Sequence, residues 1–328
     1  MKRMRTRITD LLNIEYPIIC GGMFRVGRAP LAAAVSEAGG LGIITSATFE
    51  TAEDLRQEIR LARKLTTKPI AVNINLFPSV RKMPNEAYID VLIEEGIRIV
   101  ETSGRSPEVH MNVLKDNDVI VIHKVAGVKY AKTAERVGCD AVTVIGFEAG
   151  GHPGMEDVGN VVLVPQTVDA LKIPVLAGGG IADGRGVAAM LALGAEGVVM
   201  GTRFLATHEA QVHDNVKQWM VQASELDTSL IQKTIGSTSR VARNEVALQV
   251  MEAESRGAEL EELLPLISGH RVVQVYEEGN IDAGIFACGQ SVGRIRNIQI
   301  VKELINDIVS EAKQTTEKLG RISNSINA

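Results

Sequence analysis

The residues best placed to do chemistry lie in a glycine-rich loop, GFEAGGHPGMED, at residues 146–157. His152 follows Gly150 and Gly151 and precedes a proline, so we expect it on an exposed loop and not in a core. Imidazole titrates near neutral pH, which suits it to proton transfer. His152 is therefore the candidate catalytic residue, ahead of His123 and of the alternative that it is a solvated loop histidine.

Two short apolar runs end in residues suited to binding a phosphate. These residues are Gly178, Gly179 and Gly180 after Pro174–Ala177, and Gly201 and Thr202 after Gly197–Met200. Glycine N–H groups can approach a phosphate closely, because no Cβ intervenes. A helical segment separates the two runs, so they are predicted to be parallel strands that end at one sheet edge. The pattern favours a phosphate clamp over simple tight turns, and it lacks the spacing of dinucleotide-binding and P-loop motifs.

Three further polar residues lie at predicted strand ends. Lys124 follows the fifth predicted strand, where a fixed cation could stabilise an anionic reduced cofactor. Asn73 and Asn75 alternate with apolar neighbours in the third strand, so their amides are predicted to share one face. Such amides are uncommon inside a strand unless they have a hydrogen-bonding partner.

Eight apolar runs alternate with helical patterns along the first two thirds of the chain, which predicts a parallel sheet. Eight such units favour a closed α/β barrel of the (β/α)8 (TIM) type, and a doubly wound open sheet is the alternative. In that barrel, catalytic groups and the phosphate clamp belong at the carboxyl ends of the strands. The predicted strands are Pro17–Cys20, Leu41–Thr45, Ile70–Leu76, Ile97–Glu101, Val119–His123, Ala141–Ile145, Pro174–Ala177 and Gly197–Met200.

The rhythm of strands and helices breaks after Thr207. Residues 208–280 carry no convincing strand, and we interpret them as a mostly helical insertion that caps the barrel mouth. Residues 1–207 and 281–328 would then form the barrel, and Ile298–Leu319 would be a long amphipathic helix that completes its outer ring. The helices predicted in the insertion are Val212–Ala223, Thr228–Thr234, Val241–Ser255 and Leu260–Leu266.

Composition excludes several classes of protein. Aromatic residues make up 3% of the 328 residues and the net charge is −5, so nucleic-acid binding is not expected. No run approaches membrane-spanning length, and a cytoplasmic protein without membrane contacts is predicted. Cys20 and Cys139 are expected to be buried, and no zinc or disulfide pattern occurs. His208 and His213 are five residues apart, not the four of a zinc helix, so no metal is predicted.

Several motifs, taken in order, resemble the nitronate monooxygenase (2-nitropropane dioxygenase) family. The resemblance extends from about Arg5 to the final helix and implies an FMN-dependent (β/α)8 barrel with tightly bound FMN. The chain is also similar to the family's enoyl-acyl-carrier-protein reductases. The motifs are PIICGGM at 17–23, VNINLFP at 72–78, HK at 123–124, GFEAGGHPG at 146–154, LAGGGIADGRG at 176–186 and MGTRFLAT at 200–207.

Carried over residue by residue, the resemblance implies a set of FMN contacts and matches His152 to the family's active-site histidine. A pocket for the nicotinamide and the electron acceptor is expected at Pro78, Ser79 and Val80, with the helical insertion beside it. The implied FMN contacts are Gly22, Met23, Asn75, Lys124, Gly150, Gly151, Gly178, Gly179, Gly180, Met200, Gly201 and Thr202.

Four functions are compatible with these residues. The first motif has Gly-Gly-Met where the monooxygenase branch typically has Ala-Pro-Met, so the chain looks most like the NAD(P)H:quinone reductase branch. Hydride transfer from NAD(P)H to FMN and then to a quinone is the leading expectation. The alternatives are nitronate oxidation with O2, reduction of an enoyl thioester, and a sensor that binds a phosphorylated metabolite. Small-molecule substrates are expected, and a homodimer is possible.

Overall fold

The eight apolar runs form a closed barrel of parallel strands in the computed structural model, which describes residues 3–77 and 83–326. Each strand pairs with its neighbours in chain order, and the first strand pairs with the eighth. The (β/α)8 prediction is therefore confirmed and the open sheet is wrong. The strands are β1 (Ile18–Cys20), β2 (Leu41–Thr45), β3 (Ile70–Leu76), β4 (Ile99–Gly104), β5 (Ile120–Val125), β6 (Ala141–Ile145), β7 (Val175–Gly178) and β8 (Gly197–Met200).

Eight helices surround this barrel. Seven of them connect successive strands, and the long C-terminal helix α14 packs between α8 and α2, which closes the ring as predicted. A Cβ on Gly184 would lie 2.3 Å from both Ala312 N and Ile308 O, so glycine is required where α8 meets α14. The ring consists of α2 (Ala29–Glu37), α3 (Ala52–Leu65), α4 (Asn85–Glu94), α5 (Glu108–Asp116), α6 (Val128–Arg136), α7 (Asn160–Ala170), α8 (Gly184–Ala192) and α14 (Val301–Ile326).

The amino-terminal end of the barrel is closed by helix α1 (Arg7–Leu12). Its buried Ile8 and Leu12 belong to the apolar cluster that fills the barrel interior. Thr6 caps the helix and also donates to Glu196 O at 2.7 Å, which ties α1 to the strand β8 end of the sheet. Since this end is sealed by apolar contacts, the open carboxyl end of the strands is left for a site.

The region after β8 differs from its prediction. It contains an antiparallel hairpin of β9 (Thr228–Ile231) and β10 (Ser239–Ala242), so the predicted helix Thr228–Thr234 and the absence of strands are both wrong. The helix predicted from Val241 begins only at Glu245, because Asn244 caps it by accepting from Ala247 N. The helices here are α9 (Thr202–Leu205), α10 (Asp214–Gln222), α11 (Glu245–Ser255), α12 (Leu260–Ile267) and α13 (Arg271–Tyr276).

The physical reason for this difference is tertiary pairing that local sequence does not encode. Arg240 in β10 forms two backbone hydrogen bonds with Gly151, of 2.9 and 2.7 Å, so the loop after β6 extends the hairpin. Ile231 and Val241 pack with α11 and α12 in a separate small apolar cluster. Within residues 3–77 and 83–326, no helix combines the length and apolarity needed to cross a bilayer.

Candidate active site

Five neighbouring strands, β2–β6, each place one polar side chain in the upper interior of the barrel. Each polar residue lies two positions after an apolar residue of the interior cluster, so alternation along the strand directs it to the same face. We call these residues the polar arc. Its members are Thr45, Asn73, Glu101, Lys124 and Thr143.

Glu101 is the centre of this arc and is 1% exposed. Its Oε2 accepts hydrogen bonds from Asn73 Nδ2 at 2.7 Å and from Gly22 N at 3.2 Å. Its Oε1 accepts no hydrogen bond from the described residues, and Lys124 Nζ lies 3.0 Å away as an ion pair. A buried carboxylate needs such partners, because desolvation strongly disfavours an unpaired charge.

Glu101 was not predicted as a site residue, although an acidic residue in an apolar strand was a usable signal. Lys124 was predicted to follow β5, whereas this strand continues to Val125 and holds Lys124 on its inner face. A Cβ on Gly22 would lie 2.7 Å from Asn73 Cβ and 2.9 Å from Glu101 Oε2. Gly22 is therefore glycine because the arc packs against it.

The loop with His152 faces the arc from the β6 side of the mouth. The His152 ring stacks on Phe77, which follows β3, with 4.8 Å between ring centroids. The His152 side chain remains open to solvent on one side, yet the surrounding protein atoms desolvate the imidazole and lower its pKa. The neutral imidazole is thus favoured at neutral pH.

Arg240 fixes this loop with its side chain as well as its backbone. The guanidinium donates to Phe147 O from Nε at 3.2 Å and from Nη2 at 3.0 Å. It also lies 4.6 Å from the centroid of the Phe147 ring, and Nη1 donates to Thr228 Oγ1 at 3.2 Å. The hairpin and the loop that carries His152 therefore form one hydrogen-bonded unit.

The loops after β7 and β8 offer backbone donors. Gly179 and Gly180 have φ values of +96° and +73°, which turn consecutive N–H groups towards one side of the loop. The N–H groups of Gly179, Gly180 and Gly201 donate to no protein acceptor in the part of the chain that the structure describes. Asn160 Nδ2 holds the first loop by donating to Gly179 O at 2.7 Å. These donors suit an anionic group such as a phosphate.

The remaining predicted contacts are distributed around this mouth. Met23 lies beside Gly201, since a Cβ on that glycine would be 3.3 Å from Met23 Sδ. Thr202 Oγ1 accepts from Gly289 N at 2.9 Å. A Cβ on Gly150 would lie 2.6 Å from Gly289 N, so the loops after β6 and β8 both contact the segment at Gly289.

Several predicted residues lie away from the arc. Gly178 is buried inside β7, where its carbonyl accepts from Asn160 Nδ2, and the Met200 side chain is buried in the outer core. Asn75 Oδ1 accepts from Phe77 N at 3.0 Å and Asn73 Nδ2 donates to Glu101, so the two strand amides have separate partners. Pro78, Ser79 and Val80 lie outside the described residues.

His123, the second candidate for proton transfer, is excluded from the mouth. It is buried and alternates with Lys124, so it faces the surrounding helices, and its Nδ1 lies 2.8 Å from Thr102 Oγ1. Burial lowers the pKa of His123 to about 4, which keeps it neutral. The predicted burial of Cys20 and Cys139 is confirmed.

The barrel mouth brings together glycine N–H groups without an acceptor among the described residues, the Lys124 ammonium and the His152 imidazole, an arrangement that an oxidoreductase with a bound cofactor can use. The chain belongs to the nitronate monooxygenase family, whose model matches residues 5–311. The family resemblance of the motifs is therefore confirmed, and with it the assignment as an oxidoreductase.

Relatives with different named activities are similar to this chain. The (3aS,4S,5R,7aS)-5-hydroxy-7a-methyl-1-oxo-octahydro-1H-indene-4-carboxyl-CoA dehydrogenase of Rhodococcus jostii is 34% identical over 98% of this chain and 99% of its own. A probable nitronate monooxygenase of Staphylococcus saprophyticus is 35% identical over 74% of this chain and 80% of its own. The structure of FabK from Thermotoga maritima has a TM-score of 0.90 and 44% identity, covering 97% of this chain and 99% of that one.

The residues at the mouth fit FMN. Gly179, Gly180 and Gly201 would supply N–H donors for its phosphate, and Lys124 would supply a cation on the inner wall. When bound, FMN would supply a carrier that accepts a hydride from one substrate and passes it to another. Among the described residues, no group of three or more His, Cys, Asp or Glu side chains is arranged to hold a metal ion.

Proposed function

We propose that this protein is an FMN-dependent reductase of 2-enoyl thioesters that uses NAD(P)H as the hydride donor. In the net reaction, a hydride from NAD(P)H reaches the β-carbon and a proton reaches the α-carbon, while the carbon–carbon double bond becomes single. The products are the saturated thioester and NAD(P)+. His152 is the residue that delivers the proton.

The observation that carries this proposal is an apolar rim formed by exposed side chains in the loops after β1, β3 and β6. Phe77, on which the His152 ring stacks, is 39% exposed, and Met155 in the same loop is 54% exposed. Phe24, in the loop after β1, is 42% exposed. Exposed aromatic and thioether groups at the mouth suit an acyl chain better than a small polar nitronate.

The relatives support a thioester as the substrate class. The dehydrogenase of Rhodococcus jostii is named for a carboxyl-CoA compound, which is a thioester. The motifs of this chain also resemble those of the family's enoyl-acyl-carrier-protein reductases. No relative described above is named for a quinone. Quinone reduction, which the first motif predicts, therefore remains the competing expectation for the same apolar rim.

Nitronate oxidation is a second candidate, favoured by one observation. Desolvation lowers the pKa of His152, and a neutral imidazole is the form that abstracts an α-proton. The probable nitronate monooxygenase of Staphylococcus saprophyticus is consistent with it. In that case, the substrate itself would be the electron donor and NAD(P)H would not be needed.

An acceptor panel tests the proposal. The purified protein is assayed with NADH or NADPH and with a short and a long 2-enoyl-CoA, a quinone or a nitronate. We expect kcat/KM for the long enoyl thioester to exceed that for the quinone by about tenfold or more, a difference of about 1.4 kcal/mol. Deuterated NAD(P)H should place one deuterium at the β-carbon of the product. Turnover of quinone without any turnover of thioester would show that the proposal is wrong.

A further inference from the structure

The ion pair of Glu101 and Lys124 lies on the inner wall beneath the candidate flavin site, and Glu101 has no role in the function proposed above. Glu101 is contacted from three different parts of the barrel. Gly22 N after β1 and Asn73 Nδ2 in β3 donate to Oε2, and Lys124 Nζ in β5 forms an ion pair with Oε1. The carboxylate is 1% exposed, whereas the Lys124 side chain is 20% exposed. The ammonium is therefore the part of the pair that reaches towards the mouth.

The pair carries the charge of the polar arc. Thr45, Asn73 and Thr143, its other members, are neutral, so the field at the mouth from this wall depends on Glu101 and Lys124. A cation near a bound flavin favours the reduced and more negative form of the flavin, and a nearby carboxylate opposes that effect. In a poorly solvated interior, the net charge of the pair has a larger effect than it would in water.

We propose that Glu101 is a positioning residue that holds the Lys124 ammonium at the flavin site and offsets its charge, thereby setting the reduction potential of the bound flavin. The isosteric amide of Glu101→Gln preserves the shape of the side chain and removes its charge. The Lys124 cation is then no longer offset, and the flavin becomes easier to reduce. Lys124→Met has the opposite effect, because it removes the cation.

The two residues act as a unit. In a Lys124→Met background, there is no ammonium for Glu101→Gln to release from the ion pair. Only the direct effect of the Glu101 charge on the flavin then remains. The shift in potential caused by Glu101→Gln is therefore expected to be larger in the wild-type background than in the Lys124→Met background.

The experiment measures the midpoint potential of the bound FMN by equilibration with reference dyes, and the affinity of each apoprotein for FMN. The variants are Glu101→Gln, Lys124→Met and the double variant. Glu58→Gln is the matched control, since Glu58 is also a buried carboxylate, 6% exposed, and accepts from Arg28 Nε at 2.9 Å and Nη2 at 2.8 Å. It lies outside the arc, so the potential of this control should equal that of the wild type.

We expect a more positive potential for Glu101→Gln and a more negative one for Lys124→Met. The double variant should differ from Lys124→Met by less than Glu101→Gln differs from the wild type. Equal shifts from Glu101→Gln in both backgrounds, or the same shift from Glu58→Gln, would overturn the proposal. An apoprotein that binds no FMN would overturn it as well. This proposal rests on the bound flavin of the proposed function, but it does not depend on a thioester substrate. If the potentials are as expected and no thioester is turned over, the proposed function is refuted and the role of Glu101 stands.

Discussion

Replacing Arg240 by methionine tests whether the hairpin positions His152. The substitution keeps an unbranched side chain but removes the two donors to Phe147 O and the donor to Thr228 Oγ1. Hydrogen bonds from charged groups are each worth about 1.5–3 kcal/mol when removed. The guanidinium also bears a desolvation cost, which lowers the pKa of Arg240 and offsets part of this gain. We therefore expect a loss of about 1–3 kcal/mol in the free energy of unfolding.

The larger effect should be catalytic. The loop that carries His152 loses its side-chain anchor, and a displacement of about 1 Å at a reacting group costs about 100-fold in rate. FMN binding should change less than kcat, because the N–H donors of Gly179, Gly180 and Gly201 lie on other loops. The assay compares kcat of the acceptor half-reaction, flavin content and urea denaturation for wild type and variant.

Arg271→Met is the control for this prediction. Arg271 donates from Nε to Ala283 O at 2.6 Å and from Nη1 to Pro265 O at 3.4 Å, in the same region but without contact to the His152 loop. The Arg271→Met variant should have a lower free energy of unfolding, whereas its kcat should stay close to that of the wild type. Equal kcat values for the Arg240 variant and the wild type would refute the positioning of His152 by the hairpin.

Three other predictions concern the phosphate site, proton delivery and the buried histidine. Gly180→Ala should weaken FMN binding by more than about tenfold, or 1.4 kcal/mol. Gly96→Ala should not weaken it and is the matched control, because φ is similar at the two positions, +73° at Gly180 and +69° at Gly96. Fluorescence titration of the apoproteins with FMN compares the two variants. Because only protonated His152 donates, the acceptor half-reaction should slow as pH rises, with a midpoint below the usual range of histidine because its pKa is lowered; a pH-independent rate, or an unchanged profile in His152→Gln, would contradict this role. Burial lowers the pKa of His123 to about 4, below its unfolded value, so its contribution to stability is complete above the unfolded pKa and is lost as pH falls towards 4. Between pH 7 and pH 5 the loss is about 2 kcal/mol, and urea denaturation should show that His123→Gln lacks this component.

The barrel could be predicted because its signal is local and repeated. Strands such as Leu41–Thr45 and Ala141–Ile145 are buried on both faces, so they appear as continuous apolar runs between amphipathic helices. The C-terminal helix α14 was equally clear from its amphipathic pattern. In contrast, strands β9 and β10 have four residues each and are stabilised by pairing with each other and with Gly151. Gly151 is distant in sequence from both strands, so the local sequence does not specify that pairing.

The site was partly predictable for a related reason. His152 and the glycines after β7 and β8 follow strand ends, and strand ends are visible in the sequence. Glu101 was missed because its partners Gly22, Asn73 and Lys124 come from three distant segments. Lys124 was predicted to follow its strand and not to belong to it, because the polar residues His123 and Lys124 resemble the end of an apolar strand. Side-chain pairs across a barrel become visible only once the register of the strands is known.

Anaerobic stopped-flow spectroscopy of the flavin absorbance tests the central claim most directly. The protein is first mixed with NADH or NADPH, then with a 2-enoyl thioester, a quinone or no acceptor, and separately with a nitronate alone. We predict that a nicotinamide bleaches the flavin and that the enoyl thioester restores the absorbance faster than the quinone does. His152→Ala should impair only this second step. Rapid bleaching by the nitronate with no response to either nicotinamide, or restoration by the quinone alone, would contradict it.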